Sequence, residues 1–179
     1  MLDELEAPGR DRFVMTPLHP PILGTLTLAW PDEAACAASA AALAQRAAPA
    51  LGDAIVELDG PLGAGKTTFA RHLLRALGVQ GTVKSPTYAV VEPYAVEGFE
   101  IAHFDFYRFD DPREWEDAGL REAYAAPGLK LVEWASQAAP LLPSPDLRLA
   151  LAPGAGDARD VQVQAYTPRG MQLLAGLAP

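Results

Sequence analysis

Residues 60–68 read Gly60-Pro61-Leu62-Gly63-Ala64-Gly65-Lys66-Thr67-Thr68, and no other stretch limits the fold of this chain as tightly. The run satisfies G-x-x-x-x-G-K-[ST], the pattern of a phosphate-binding loop. Glycine at 60, 63 and 65 lets the backbone turn its N–H groups inward around an anion. The helix that follows then adds its positive end to the same anion. Lys66 reaches the outer phosphates as a compact charge, and the Thr67 hydroxyl suits a Mg2+ ion. With Ala64 and Thr68, the whole run becomes the expected nucleotide-binding segment. Its flanks agree. Ala54–Leu58 (AIVEL) reads as a buried strand, and Phe69–Leu77 as a helix that ends at Gly78.

Such a site also needs an acid at the end of a neighbouring strand to hold Mg2+ or water. Asp105 closes the apolar run Ile101–Phe104, and Glu133 closes Leu129–Val132. Both are candidate metal and catalytic residues, and their division of labour stays open. Charge points to the same part of the chain. The net charge is −9, yet residues 60–91 carry four bases (Lys66, Arg71, Arg75, Lys84) and no acid. An acid-free window in an acidic chain marks a local anion site. The overall balance argues against a protein that grips nucleic acid by itself.

The remaining pattern predicts an α/β fold: a P-loop NTPase-like sheet with flanking helices and a C-terminal β-hairpin. Residues 1–24 hold four prolines and no sustained period, so a disordered leader is expected there, with Met15 as an alternative start. Residues 25–179 are expected to form one domain. Thr25–Trp30 reads as a strand, and Pro31-Asp32 as the entry to an Ala-rich helix over 33–48. Tyr88–Pro93 and Phe99–Phe104 read as extended, separated by a turn at Glu97-Gly98. Asp111-Pro112 opens a short acidic helix ending near Gly119, and a short helical stretch after Val132 is cut at Pro140. Leu147–Leu151 and Val161–Tyr166 form the hairpin. Thr167 caps a last helix over Pro168–Leu177.

With 34 alanines among 179 residues, the core must draw its bulk from Leu, Val, Ile and Phe. The single cysteine, Cys36, excludes an internal disulfide and a multi-cysteine zinc site. No apolar run is long enough to span a bilayer, so no membrane association is expected and the cytoplasm is the expected compartment. The chain lacks asparagine, which removes the N-K-x-D motif of guanine-specific proteins, and it has no L-S-G-G-Q signature. Its length is small for an AAA-type motor.

Five blocks then occur in one order: G-x-L-G-A-G-K-T-T at 60–68, V-K-S-P-T-Y at 83–88, V-E-P-Y at 91–94, H-F-D-F-Y-R at 103–108 and L-V-E-W at 131–134. Together they resemble the TsaE (YjeE) family, over about residues 25–166. The resemblance implies a cytoplasmic ATPase that binds ATP or ADP with Mg2+. It implies action with the TsaB and TsaD proteins, TsaD being the transferase that places threonylcarbamoyl on adenosine 37 of tRNAs reading ANN codons. On that account tRNA is met only through the complex, and the ATPase supports turnover without making the bond.

By position, Lys66 and Thr67 match the phosphate and Mg2+ residues. Ser85-Pro86-Thr87 matches a switch-like loop facing the γ-phosphate, with Thr87 among the catalytic residues. Asp105 and Glu133 match the acids serving metal and water, and Trp134 matches an aromatic beside the nucleotide. One departure stands out: the family usually has an acid where this chain has Pro61, which removes a backbone donor and stiffens the loop.

Other side chains read more plainly. Lys84 is either a second phosphate contact or a solvated charge. His103 reads as a strand histidine more readily than as a base. Phe104, Phe106, Tyr107 and Phe109 read as packing. Two alternatives are carried beside the ATPase. A small-molecule kinase would need a phosphate-wrapping lid, for which Arg108, Arg113 and Arg121 are the available cations. A nucleotide-gated binding module would use the Ser85–Thr87 loop to signal without useful turnover.

Overall fold

The computed structural model describes residues 20–111, 113–117 and 119–178. Seven strands form one sheet in the order β1-β7-β6-β2-β5-β4-β3. They are β1 (Gly24–Trp30), β2 (Ile55–Asp59), β3 (Val91–Val96), β4 (Phe99–Asp105), β5 (Leu129–Glu133), β6 (Leu147–Pro153) and β7 (Arg159–Ala165). The central four, β6, β2, β5 and β4, run parallel. Antiparallel β7 and β1 extend one side and β3 the other. The expected α/β sheet with a C-terminal hairpin is therefore present.

Among the described residues, six helices accompany the sheet: α1 (Glu33–Arg46), α2 (Ala48–Leu51), α3 (Lys66–Ala76), α4 (Glu114–Asp117), α5 (Leu120–Ala125) and α6 (Pro168–Leu177). Their ends follow local chemistry. Asp32 caps α1 by accepting from the Ala35 N–H at 2.9 Å. Thr167 caps α6 by accepting from the Gly170 N–H at 3.0 Å, with Pro168 in the first turn.

The two faces of the sheet are packed differently. Alternate residues Val56 and Leu58, Leu129 and Leu131, Leu147, Leu149 and Leu151, and Val161 and Val163 form one buried cluster with α1, α3 and α6. Phe69, Leu73 and Leu74 of α3 and Leu43 of α1 are wholly buried in it. Ala40 and Ala44 are buried on α1, so the alanine-rich helix serves as a thin spacer that brings α1 close to α3. On the other face an aromatic cluster of Phe104, Phe106, Phe109, Trp115 and Tyr124 packs with Val132 and Leu120. Phe104 and Phe106 lie nearly parallel at 5.7 Å between ring centres. Each large side chain so buried contributes about 1.5–3 kcal/mol of transfer free energy.

Several boundaries differ from the sequence reading. Residues 1–19 of the expected leader lie outside the described residues, but its last part belongs to the sheet: β1 begins at Gly24, and the Leu23 N–H donates to Ala165 O. The Ala-rich helix stops at Arg46, because Pro49 starts a separate turn of helix. The stretch 88–90 is not extended. Val90 takes a left-handed backbone (φ 65°) and its N–H closes a turn onto Pro86 O, so β3 starts only at Val91. The acidic helix is a single turn, α4, and Pro112 at its expected start lies outside the described residues. The stretch after Val132 forms one 3-10 turn, Ala135–Gln137. α5 was not anticipated, although Leu120, Ala123 and Tyr124 carry the i, i+3, i+4 spacing that would have marked it. Among the described residues, no helix is long and apolar enough to cross a membrane.

Candidate functional site

The loop 60–65 leaves β2 and enters α3 directly, as the motif requires. Gly60 (φ 140°), Gly63 (φ 78°) and Gly65 (φ 103°) all take backbone that other residues rarely adopt. At Gly60 a side chain would also overlap the Leu151 carbonyl oxygen, so only glycine fits between β2 and β6. Pro61 is accommodated: its carbonyl accepts from the Ala64 N–H at 3.1 Å.

Sheet register brings the acids to this loop. Leu58 of β2 pairs with Glu133 of β5, and Glu133 pairs with Asp105 of β4. The ends of three parallel strands thus form one row beside the start of α3. In α/β sheets, ligands bind at the carboxyl ends of such strands. Glu133 is 2 % exposed and Asp105 3 %.

The two acids then diverge. The Thr67 hydroxyl donates to Glu133 Oε2 at 2.8 Å, while His103 Nε2 lies 2.9 Å from Glu133 Oε1. Asp105 instead gathers the 85–87 loop. Its Oδ2 accepts from the Ser85 hydroxyl and, at 2.9 Å, from the Thr87 hydroxyl. Its Oδ1 accepts from the Tyr107 N–H at 2.9 Å. Lys66 is held by its own loop, donating to Gly60 O at 2.6 Å and Pro61 O at 2.9 Å. Its ammonium lies 4.0 Å from the centre of the Trp134 ring. Burial lowers the Lys66 pKa, and the charges of Glu133, Asp59 and Asp105 oppose that shift. Trp134 has a left-handed backbone (φ 58°), a strained conformation for an aromatic residue, and its ring is 5.0 Å from that of Tyr107.

These groups line a cavity of about 330 Å3 that includes Gly63, Gly65, Lys66, Thr67, Thr68, Ser85, Thr87, Asp105, Glu133 and Trp134. Gly60 and Ala64, in the same loop, are not among the lining residues. Lys84 is exposed and outside the lining, which favours the solvated-charge reading. Arg108 stacks on Tyr88, Arg113 pairs with Asp111, and Arg121 with Glu116 and Glu122. None of these arginines lines the cavity. Phe104, Phe106 and Phe109 pack internally as expected, but Tyr107 is on the cavity wall.

Arg159 was not singled out from the sequence. It reaches from β7 to the loop, its Nε–H donating to Ala64 O at 2.9 Å and its Nη2 to Gly63 O at 3.3 Å. Tying the Ala64 carbonyl outward leaves the Gly65 N–H, on the opposite edge of that peptide, for an anion, while the Ala64 N–H is already taken by Pro61 O. Nothing local in the sequence announces this, since residues 64 and 159 meet only through the sheet order. Arg159, Gly65 and Thr68 also line a second, adjoining cavity of about 570 Å3, walled by Trp30, Cys36, Glu33 and Asp157. Gly65, Thr68 and Arg159 are common to both cavities.

A match to known proteins follows this geometry. Residues 30–161 match the family model described as threonylcarbamoyl adenosine biosynthesis protein TsaE. The chain belongs to the TsaE family. It is 40% identical over 124 residues to a TsaE protein of Haemophilus influenzae, covering 69% of this chain and 78% of the relative. Against a Bacillus subtilis TsaE protein the identity is 36% over 115 residues, covering 64% and 72% of the two chains. The crystal structure of Bacillus subtilis YdiB superimposes with a TM-score of 0.70 at 26% identity, over 86% of this chain and 94% of that one. TsaE membership thus agrees with the resemblance read from the five sequence blocks, and it assigns the chain to threonylcarbamoyladenosine biosynthesis.

Whether Mg2+ suits the site can be asked of its donors. Among the described residues, no group of three or more His, Cys, Asp and Glu side chains is arranged to hold a metal. Thr67 and Glu133 do converge, and both offer hard oxygen. That set fits Mg2+, which is commonly held by one or two protein oxygens together with phosphates and water. It does not fit a cation bound by protein alone.

Proposed function

We propose that the chain is a Mg2+-dependent ATPase that acts with the TsaB and TsaD proteins in threonylcarbamoylation of adenosine 37 of tRNA. The observation that carries the reading is the meeting of Lys66, Thr67, Glu133, Asp105 and Thr87 around one cavity at the strand ends. Lys66 and the loop N–H groups would bind the phosphates of ATP or ADP, flanked by Gly60, Gly63, Ala64, Gly65 and Thr68. Thr67 and Glu133 would hold Mg2+, which when bound supplies positive charge against the phosphate oxygens. Asp105 would hold Ser85 and Thr87 against the outer phosphate, where the Thr87 hydroxyl can orient water. Trp134 and Tyr107 would screen that water from bulk solvent.

Arg108, Arg113 and Arg121 lie off the cavity wall, and Arg159, which is on it, is tied to the Ala64 and Gly63 carbonyls, which favours an ATPase over a kinase with its phosphate-wrapping cations. With a net charge of −9, contact with tRNA would come through the partners.

Steady-state ATP hydrolysis, measured for the chain alone and with TsaB–TsaD at fixed Mg2+, tests the reading. Slow turnover alone and faster turnover with the pair are expected. Lys66→Ala should abolish nucleotide binding or turnover. A K66A variant as active as the parent, or no hydrolysis under either condition, would overturn the assignment.

A further inference from the structure

His103 sits in the middle of β4, with no exposed surface. It lies on the same side of the sheet as Ile101, facing the α3 layer. Its Nε2 is 2.9 Å from Glu133 Oε1, and among the described residues its buried Nδ1 has no partner. A histidine serving only as filler in such a place would leave two polar atoms to satisfy, where a leucine would leave none. The one bond it makes falls on the carboxylate that also holds Thr67.

We propose that His103 is a positioning residue for Glu133, fixing that carboxylate for the cation shared with Thr67. The inference rests on the Mg2+-nucleotide reading given above. A glutamate side chain has three torsions, and a single bond to Thr67 would leave its plane free to turn. Two bonds, one to each oxygen, fix the plane. A carboxylate oxygen accepts, so the ring donates from Nε2. Partners that orient a ligating group typically change metal affinity by about 10–100-fold when removed.

The test uses the full chain and three substitutions, with ADP and Mg2+ as probes. His103→Gln can place an amide N–H near the former Nε2 position, His103→Asn is polar but too short to reach Glu133, and His103→Leu fills the space. ADP affinity is measured in EDTA, and the Mg2+ concentration for half-maximal tightening is then titrated at fixed ADP. The expected result is unchanged ADP binding in EDTA for all three. H103N and H103L should need at least about tenfold more Mg2+ than the parent, while H103Q recovers most of the difference. Nitrogen-15 spectra of the parent should show a proton on Nε2, held by Glu133.

A parent-like Mg2+ requirement in H103N, or an equal defect in H103Q and H103N, would overturn the role. So would weakened binding in EDTA together with a lowered melting temperature in all three, which is the mark of a purely structural residue. If the parent itself binds ADP without regard to Mg2+, the underlying metal reading falls first and this role falls with it. That outcome is visible before any substitution is made.

Discussion

Asp105 and Glu133 end adjacent parallel strands, face each other in register and are almost equally buried. Their surroundings nevertheless divide them. Glu133 looks back to the phosphate loop, through Thr67, and sideways to His103. Asp105 instead gathers the Ser85 and Thr87 hydroxyls of the loop between α3 and β3, together with the Tyr107 N–H that follows its own strand. Two carboxylates with the same local sequence context therefore anchor different things, one a helix start and the other the loop around Ser85–Thr87. What separates them is which neighbour the sheet order supplies.

The largest effect is expected at Glu133. Glu133→Ala should lower ATP hydrolysis by about 10²–10³-fold, the scale seen when a preorganised electrostatic group is lost. Nucleotide binding without Mg2+ should survive, and a direct comparison of affinities in EDTA and in Mg2+ checks this. Asp105→Ala should cost less, about 10–100-fold, because it releases a loop and leaves Thr67 and Glu133, the pair proposed for Mg2+, intact. Here the distinguishing readout is amide exchange, which should quicken at residues 85–90 in D105A and stay at the parent rate in E133A. If both variants lose Mg2+-dependent binding to the same degree, the contrast between the two ends is wrong.

Glu57 sharpens the contrast by serving as a carboxylate of the same sheet outside the cavity. It precedes the end of β2 and pairs in register with Val132, whose side chain belongs to the aromatic cluster. Burial pushes its pKa up to about 7, with Arg148 lowering it and Asp59 raising it. A carboxyl whose folded pKa lies above its unfolded value binds more protons when folded. Its contribution is thus most favourable below about pH 4.5 and is lost as the pH rises to about 7. Glu57→Gln should flatten that loss and stabilise the protein at pH 8, on the order of 1–2 kcal/mol after allowance for its partial exposure. Urea unfolding at pH 5 and pH 8 measures it. Hydrolysis should change little, and a large change would mean that the two sides of the sheet are coupled.

The local grammar of the site was open to reading in the sequence. Lys66, Thr67 and their glycines are consecutive, and Asp105 and Glu133 each close an apolar strand. The hairpin, the last helix and its Thr167 cap are likewise written in short-range pattern. What escaped depends on distant pairing. Placing β5 between β2 and β4 decides which acid meets Thr67, and no residue near 105 or 133 encodes that order. Arg159 meets the loop across 95 residues of chain. The bend at Val90 was missed for a related reason. A β-branched residue in an apolar run reads as strand, but the bonds from Ser85 and Thr87 to Asp105 and from the Val90 N–H to Pro86 O turn the chain inward instead.

Lys66 has a last consequence. Its ammonium is already engaged by two carbonyls of its own loop and by the Trp134 ring. On the proposed function, an arriving phosphate meets an occupied lysine and must outcompete those contacts. Entry is therefore an exchange of partners, and so is departure, since the same carbonyls are ready to take the lysine back. Such a lysine lowers the net affinity for any nucleotide but keeps the spent one from becoming a permanent lodger. If the proposed function holds and the protein fires repeatedly for a larger assembly, ready release has the greater value.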